Sequence, residues 1–277
     1  MRRVRTIGWY GGKAHLVRHL IKLLPPHEVY LEVFGGGGAL LLSKPPVKVE
    51  VYNDINSDLC NLFRVIRDDK LFPVFLRKVK WTLYSREEWR RARRSYRYVN
   101  NPIERAVRFF VVIRQSFSKT GQSWSYAVAS KSQAPPYFSF IEELEMIHRR
   151  LQNVQIENLD WKDCMKKYNS DKALAYIDSP YVKEVRRCKS DVYEYEFTKE
   201  HHEELIEFLL TKWRGKALVS GYRNPIYTKL EEQGWIRKDI EVALFATGKP
   251  TTRGGKGGKR PTAIESVWMN YKLKTLV

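Results

Sequence analysis

The stretch HEVYLEVFGGGGALLLSK at 27–44 limits the fold more than any other. Its first half is apolar, aromatic and β-branched, which reads as a buried strand. Four glycines stop that strand, and ALLLSK begins a short helix. VKVEVYND (47–54) then alternates apolar and polar residues and ends on an acid. INSDLCNLFRVIRD (55–68) spaces its apolar residues at the helical period. Strand, glycine turn, helix, strand and helix open a parallel α/β sheet, because parallel neighbours need a crossover between them.

Residues 69–153 break the rhythm. SREEWRRARRSYRYV starts with a capping-box pattern and is rich in arginine. NPIERAVRFFVVIRQ and IEELEMIHRRLQ (141–152) read as further helices, and 116–138 reads as a polar, aromatic loop. The stretch is an insertion, mostly helical. The α/β pattern resumes with strands at VQIENLDW (154–161), ALAYIDSP (173–180) and GKALVSGY (215–222). HHEELIEFLLTKW (201–213) and NPIYTKLEEQGW (224–235) read as helices. IRKDIEVAL and AIESVWMNY are late strands with no helix between them, so a hairpin closes the sheet.

Lysine and arginine outnumber acids 50 to 31, giving a net charge of +19. Such an excess favours a polyanionic partner. Cys60, Cys164 and Cys188 are scattered, with no CxxC, so free thiols in a reducing, cytoplasmic setting are expected. The basic amino terminus lacks the apolar core of a secretory signal, and no apolar run reaches the ~18 residues of a membrane span. No His/Cys/Asp cluster has metal-ligand spacing, so no metal is expected.

In open α/β sheets, ligands bind beyond the carboxyl ends of the strands. GGGG follows the first strand; Asp54, Asp160 and Asp178 end the next three. The glycine run is no dinucleotide fingerprint, since GxGxxG from Gly36 would end on Leu41 and from Gly35 on Leu40. Neither GWYGGK nor RGGKGGK fits a phosphate loop. A glycine turn plus an acid at the second strand end suits S-adenosylmethionine. Its ribose hydroxyls want a carboxylate acceptor, and its own carboxylate wants a cation.

WYGGK (9–13), EVFGGGGAL (32–40), YNDIN (52–56), LDW (159–161), DSPY (178–181), LVSGYRNPIY (218–227) and ESVWMNY (265–271) occur in one order along the chain. In that order the chain resembles the Dam-like DNA adenine-N6 methyltransferases over nearly its whole length. The resemblance implies a Rossmann-like methyltransferase sheet, mostly parallel with a late antiparallel strand. Residues 1–68 and 154–277 would form the catalytic domain that binds S-adenosylmethionine. Residues 69–153 would form an inserted, mainly helical target-recognition subdomain.

The resemblance also implies roles. Trp9 and Tyr10 would wall the cofactor site, with Lys13 facing the cofactor's carboxylate. Phe34, Gly36 and Gly38 match FxGxG. Glu32 would approach the cofactor's amino group or pair elsewhere in the core, and Asp54 would accept from the ribose hydroxyls. Asp160 and Trp161 would meet the cofactor's adenine.

DSPY is similar to the family's catalytic tetrad, usually DPPY. The Asp178 carboxylate and the Ser179 carbonyl would hold the two amine hydrogens of the target adenine. Pro180 shapes the turn, and Tyr181 would stack on a base flipped from the duplex. Ser179 departs from the usual proline, which frees φ and adds an N–H. Val33 stands where the family commonly has proline.

An impaired DNA-binding remnant and an N4-cytosine or RNA amine methyltransferase are the alternatives. Cytosine-C5 chemistry needs a cysteine that typically follows proline, and none does here. For double-stranded DNA, the expected contacts are Arg114, Gln115, Ser118, Lys119, Gln122 and Tyr126. Arg253, Lys256, Lys259 and Arg260 would add phosphate contacts. A monomer or weak dimer is expected, with a cognate restriction endonuclease as a possible partner.

Overall fold

The computed structural model describes residues 6–128, 131–182, 195–243 and 262–273. Seven strands form one sheet: β1 (Val29–Glu32), β2 (Val49–Asn53), β3 (Val154–Glu157), β4 (Ala173–Ile177), β5 (Lys216–Gly221), β6 (Ile236–Ala243) and β7 (Thr262–Met269). Their order across the sheet is β3-β2-β1-β4-β5-β7-β6. β1 to β5 run parallel, and β7 is antiparallel to both β5 and β6. The expected late antiparallel strand is therefore β7, inserted between β5 and the edge strand β6.

Alternation along the strands sends side chains to two cores. Tyr30, Tyr52, Leu174, Tyr176 and Leu218 enter one. Leu31, Val51, Ala175, Ile177 and Val219 enter the other. β4 is buried at all five positions, as a central parallel strand with both faces covered must be.

Short helices α1 (Val17–Ile21) and α2 (Ala39–Ser43) flank β1, and α3 (Ser57–Arg67) follows β2. Asn56 starts α3 by accepting from the N–H groups of Asp58 and Leu59. Leu59, Leu62, Phe63 and Ile66 then form its buried stripe. The crossover from α3 to β3 carries α4 (Leu71–Trp81), α5 (Arg86–Ser95), α6 (Pro102–Arg114), α7 (Ala134–Ile141) and α8 (Leu144–Leu151). The second half of α6 is a continuous buried run, Phe109, Phe110, Val111, Val112 and Ile113, because α3, α4 and α5 pack around the helix. The buried apolar residues of 69–153, Trp89 apart, belong to the same cluster as α3 and the Tyr30 face of the sheet. α9 (Trp161–Lys167), α10 (Lys199–Thr211) and α11 (Pro225–Glu232) complete the fold.

β3 is shorter than its sequence suggests. It stops at Glu157, and Asp160 caps α9 through a bond from the Lys162 N–H at 2.9 Å. Cys60 and Cys164 are buried free thiols, both pushed up to about 12 by burial, which keeps them unreactive. Cys188 lies outside the described residues. Among the described residues, no helix is long and apolar enough to cross a membrane.

Candidate active site

The sheet order reverses at β1 and β4, so their carboxyl ends flank a crevice. A cavity of about 640 Å³ opens there. Its floor is the glycine turn after β1. Gly35 N donates to the Asn53 carbonyl at 2.7 Å, and Gly36 N to Asp54 Oδ2 at 2.8 Å. A Cβ on Gly35 would lie 2.2 Å from the ring of Tyr52. That ring cannot move, since it is fully buried, stacks on Phe63 at 4.1 Å and donates to the Gly36 carbonyl. Gly36 has φ of +47°, and a Cβ there would meet Trp9 at 3.0 Å. Gly38 caps α2 in the left-handed region and does not line the cavity.

Trp9, Tyr10, Lys13, Glu32, Phe34, Gly36 and Asp54 all line the cavity. Each Asp54 oxygen accepts one backbone N–H, from Gly36 and from Asn56, and each retains capacity for another donor. Burial pushes the Asp54 carboxyl up to about 6, against those two bonds. Glu32 is almost fully buried, and burial pushes it to about 7. Its Oε2 accepts from the Tyr30 hydroxyl at 2.8 Å and from Leu41 N at 2.7 Å, so the core holds this acid at the cavity edge. Asp160 and Trp161 do not line this cavity. Asp160 is spent on its cap. Trp161 is buried edge-on against Phe197 and Phe208.

Asp178, Ser179 and Pro180 line the opposite wall. Lys13 is buried, and its Nζ sits 2.9 Å from Asp178 Oδ1. The Ser220 hydroxyl donates to the same oxygen at 3.0 Å. Both contacts fall on Oδ1, which leaves Oδ2 as an acceptor. Lys13 also lies 4.5 Å over the Tyr181 ring. Tyr181 itself is buried rather than presented to the cavity. Its hydroxyl donates to Glu265 Oε2 at 2.5 Å, and its ring packs edge-on to Tyr222. Burial raises the Glu265 carboxyl, with Lys13 opposing.

Ser220, Glu265 and Tyr227, whose hydroxyl lies 3.4 Å from Ser179 Oγ, have no place in the sequence reading as functional residues. They come from β5, β7 and α11, and each lies over 40 positions from its partner in the tetrad. ESVWMNY and LVSGYRNPIY contain all three, which is the only local signal.

The family model of the D12 class N6 adenine-specific DNA methyltransferases matches residues 9–241, a span that holds every residue lining this cavity. The chain belongs to this family. A Type II methyltransferase of Lactococcus lactis subsp. cremoris, M1.LlaDCHI, is 28% identical over 278 residues, covering 95% of this chain and 94% of that protein. The Type II methyltransferase M.MjaIII of Methanocaldococcus jannaschii is 24% identical over 95% of this chain and 97% of its own. The DNA adenine methylase of Escherichia coli (strain K12) is 25% identical over 63% of each.

In this methyltransferase the expected DNA contacts divide. Gln115 is fully buried; its Nε2 donates to the Leu83 carbonyl and its Oε1 accepts from Ser85 N. It is a staple between the α4–α5 connection and the following loop, not a base reader. Arg114 is half-buried, donates to the Ile7 carbonyl and lies 3.8 Å over Phe140. Lys119 lines the cavity and donates to the Arg114 carbonyl; burial lowers its ammonium to about 8. Gln122 lines the cavity, and Ser118 and Tyr126 are exposed. Arg253, Lys256, Lys259 and Arg260 lie outside the described residues.

Three residues not singled out above join the rim: Arg93, Arg94 and Arg97, at and just after the end of α5. Phe117 is 65% exposed and directly precedes Ser118 and Lys119, both at positive φ.

Proposed function

We propose that this chain moves a methyl group from S-adenosylmethionine to the N6 amine of an adenine turned out of duplex DNA, within a short recognition sequence. The observation that carries the proposal is the convergence on one cavity of a glycine turn, an acceptor acid and the Asp178–Ser179 wall.

The residues fit that cofactor. Asp54 offers two oxygens with spare acceptor capacity, which suits adjacent ribose hydroxyls. The tight Gly35–Gly36 turn lets backbone approach a ligand where side chains could not fit. Trp9, Tyr10 and Phe34 give aromatic walls, and Glu32 an acid near an amino group. When bound, S-adenosylmethionine supplies an electrophilic methyl group on its sulfonium sulfur.

The adenine amine is a poor nucleophile because its lone pair is delocalised into the ring. Asp178 Oδ2 and the Ser179 carbonyl each accept one of its hydrogens. That draws the nitrogen towards tetrahedral geometry and localises the lone pair. Lys13 and Ser220 hold Oδ1, so the carboxylate is oriented before substrate arrives. Fixed acceptors in a half-buried site carry most of the barrier reduction. Tyr181 stacks on the target only after its ring leaves Tyr222, so base entry is coupled to movement of that side chain. The helical insert 69–153 serves target recognition. Phe117, held out by a strained turn, supplies an apolar wedge for the space a flipped base leaves.

Asp178→Ala is expected to abolish transfer of labelled methyl groups to sequence-diverse duplex DNA while leaving DNA affinity largely intact. Continued formation of N6-methyladenine by that variant overturns the assignment.

A further inference from the structure

Ser179 stands at the position whose carbonyl receives the target amine. It lacks the ring that would fix φ at a proline, so something else must orient its peptide group. Its hydroxyl is buried, with the residue 2% exposed, and lies 3.4 Å from the Tyr227 hydroxyl. Tyr227 Oη lies in turn 3.0 Å from His202 Nδ1. Ser179, Tyr227 and His202 come from the end of β4, from α11 and from α10, so three elements meet behind the tetrad.

The tyrosine is firmly set. Asn224 caps its helix by accepting from the N–H groups of Ile226 and Tyr227. Its ring packs on Trp268 at 5.1 Å and against the face of Gly221, where a Cβ would lie only 3.2 Å away. His202 is fully buried and edge-on to Phe197, which packs on the cavity-lining Phe34. The phenol carries one proton for two partners. If Nδ1 accepts, Tyr227 donates to His202 and receives from Ser179; in the other tautomer both bonds reverse. Either arrangement gives the Ser179 hydroxyl a fixed partner. The 3.4 Å separation is long, as catalytic hydrogen bonds often are before substrate binds.

We infer that Tyr227, backed by His202, is a positioning residue that anchors Ser179 through its hydroxyl and so orients the acceptor carbonyl in place of a proline ring. The inference rests on the proposed role of that carbonyl. It predicts a dependence on the residue at 179 that mere core packing would not produce.

The test introduces Tyr227→Phe into the wild type, Ser179→Ala and Ser179→Pro, and measures methyl transfer to duplex DNA. In the wild type, kcat should fall about tenfold or more, with KM for DNA and cofactor little changed. In the Ser179→Ala and Ser179→Pro backgrounds the same change should alter kcat by less than about twofold. Equal losses in all three backgrounds, or no loss in the wild type, overturn the inference. If Tyr227→Phe does not fold, Ser179→Ala alone should lose the same tenfold or so, and Ser179→Pro should turn over faster than Ser179→Ala. A Ser179→Ala enzyme as fast as the wild type overturns it.

Amide hydrogen exchange across 178–182 reads the anchor without turnover. Tyr227→Phe should speed exchange when residue 179 is serine and not when it is alanine. A wild type without transfer activity but with this exchange pattern would sink the catalytic reading and leave the anchor standing.

Discussion

A buried acid changes stability with pH in a direction fixed by the sign of its shift, and Glu32 is the clearest case. Burial raises its carboxyl from the ordinary value to about 7, although Tyr30 and Leu41 donate to it. The folded state therefore binds a proton more tightly than the unfolded chain. The stabilising effect of the neutral acid is fully present below the ordinary glutamate range and is lost as pH rises through about 7. Glu32→Gln keeps an oxygen for both donors and removes the ionisation. Relative to the wild type, the variant should gain on the order of 3 kcal/mol of unfolding free energy between about pH 4.5 and pH 8. Denaturant titrations at a series of pH values measure this. A difference that stays flat with pH would show that the Glu32 carboxyl binds its proton equally well in the folded and unfolded chain. Asp54, raised to about 6, acts in the same sense, but its ionised form is the better acceptor for ribose hydroxyls. Under the proposed function, fold stability and cofactor affinity thus pull in opposite directions at this edge of the sheet.

The loop between α6 and α7 shows why an element can be read only partly from sequence. Arg114, Gln115, Lys119, Gln122 and Tyr126 form a polar, aromatic run that looks like a surface for DNA. Its length leaves invisible which side chains turn inward. Gln115 does, and its amide pairs with the Leu83 carbonyl and the Ser85 N–H of the α4–α5 connection. Phe117 turns outward, because Ser116 is tied to the Ile113 carbonyl and Gly121 N, and the turn runs through two left-handed residues. Gln115→Ala should lower stability by about 1–3 kcal/mol, since it removes two hydrogen bonds and a fully buried side chain. Phe117→Ala should leave the denaturation midpoint unchanged but weaken base extrusion, read as a smaller rise in 2-aminopurine fluorescence at the target position. A stable Gln115→Ala or an unaffected fluorescence signal contradicts these assignments.

Among helices, α4 and α7 escaped the sequence reading because both carry proline. Pro73, Pro135 and Pro136 all fall in a first turn, where the missing N–H is no loss. The α/β rhythm was legible because strand alternation and helix capping are local. The Lys13–Asp178, Ser220–Asp178 and Tyr181–Glu265 contacts were not, because each joins segments that only the sheet order brings together.

At the scale of the molecule, a net charge of +19 favours a polyanionic partner but does not say where it would sit. The fold narrows it. α5 buries Trp89 and Ala92 against the core, which turns Arg93 and Arg94 outward. The short turn after α5 adds exposed Arg97, and all three stand at the mouth of the cavity that holds Asp178. Under the proposed function, their place at the rim suits them as phosphate ligands beside the target nucleotide. Each phosphate contact released should flatten the plot of log affinity against log salt by about 0.9, so replacing all three with glutamine should flatten it by about 3. Because the side chains are exposed, the thermal midpoint should not move. Fluorescence anisotropy on a duplex carrying the methylated sequence, run across a salt series, gives the slope directly. A slope unchanged in the triple variant would place the phosphate contacts elsewhere on the basic surface and detach α5 from DNA binding.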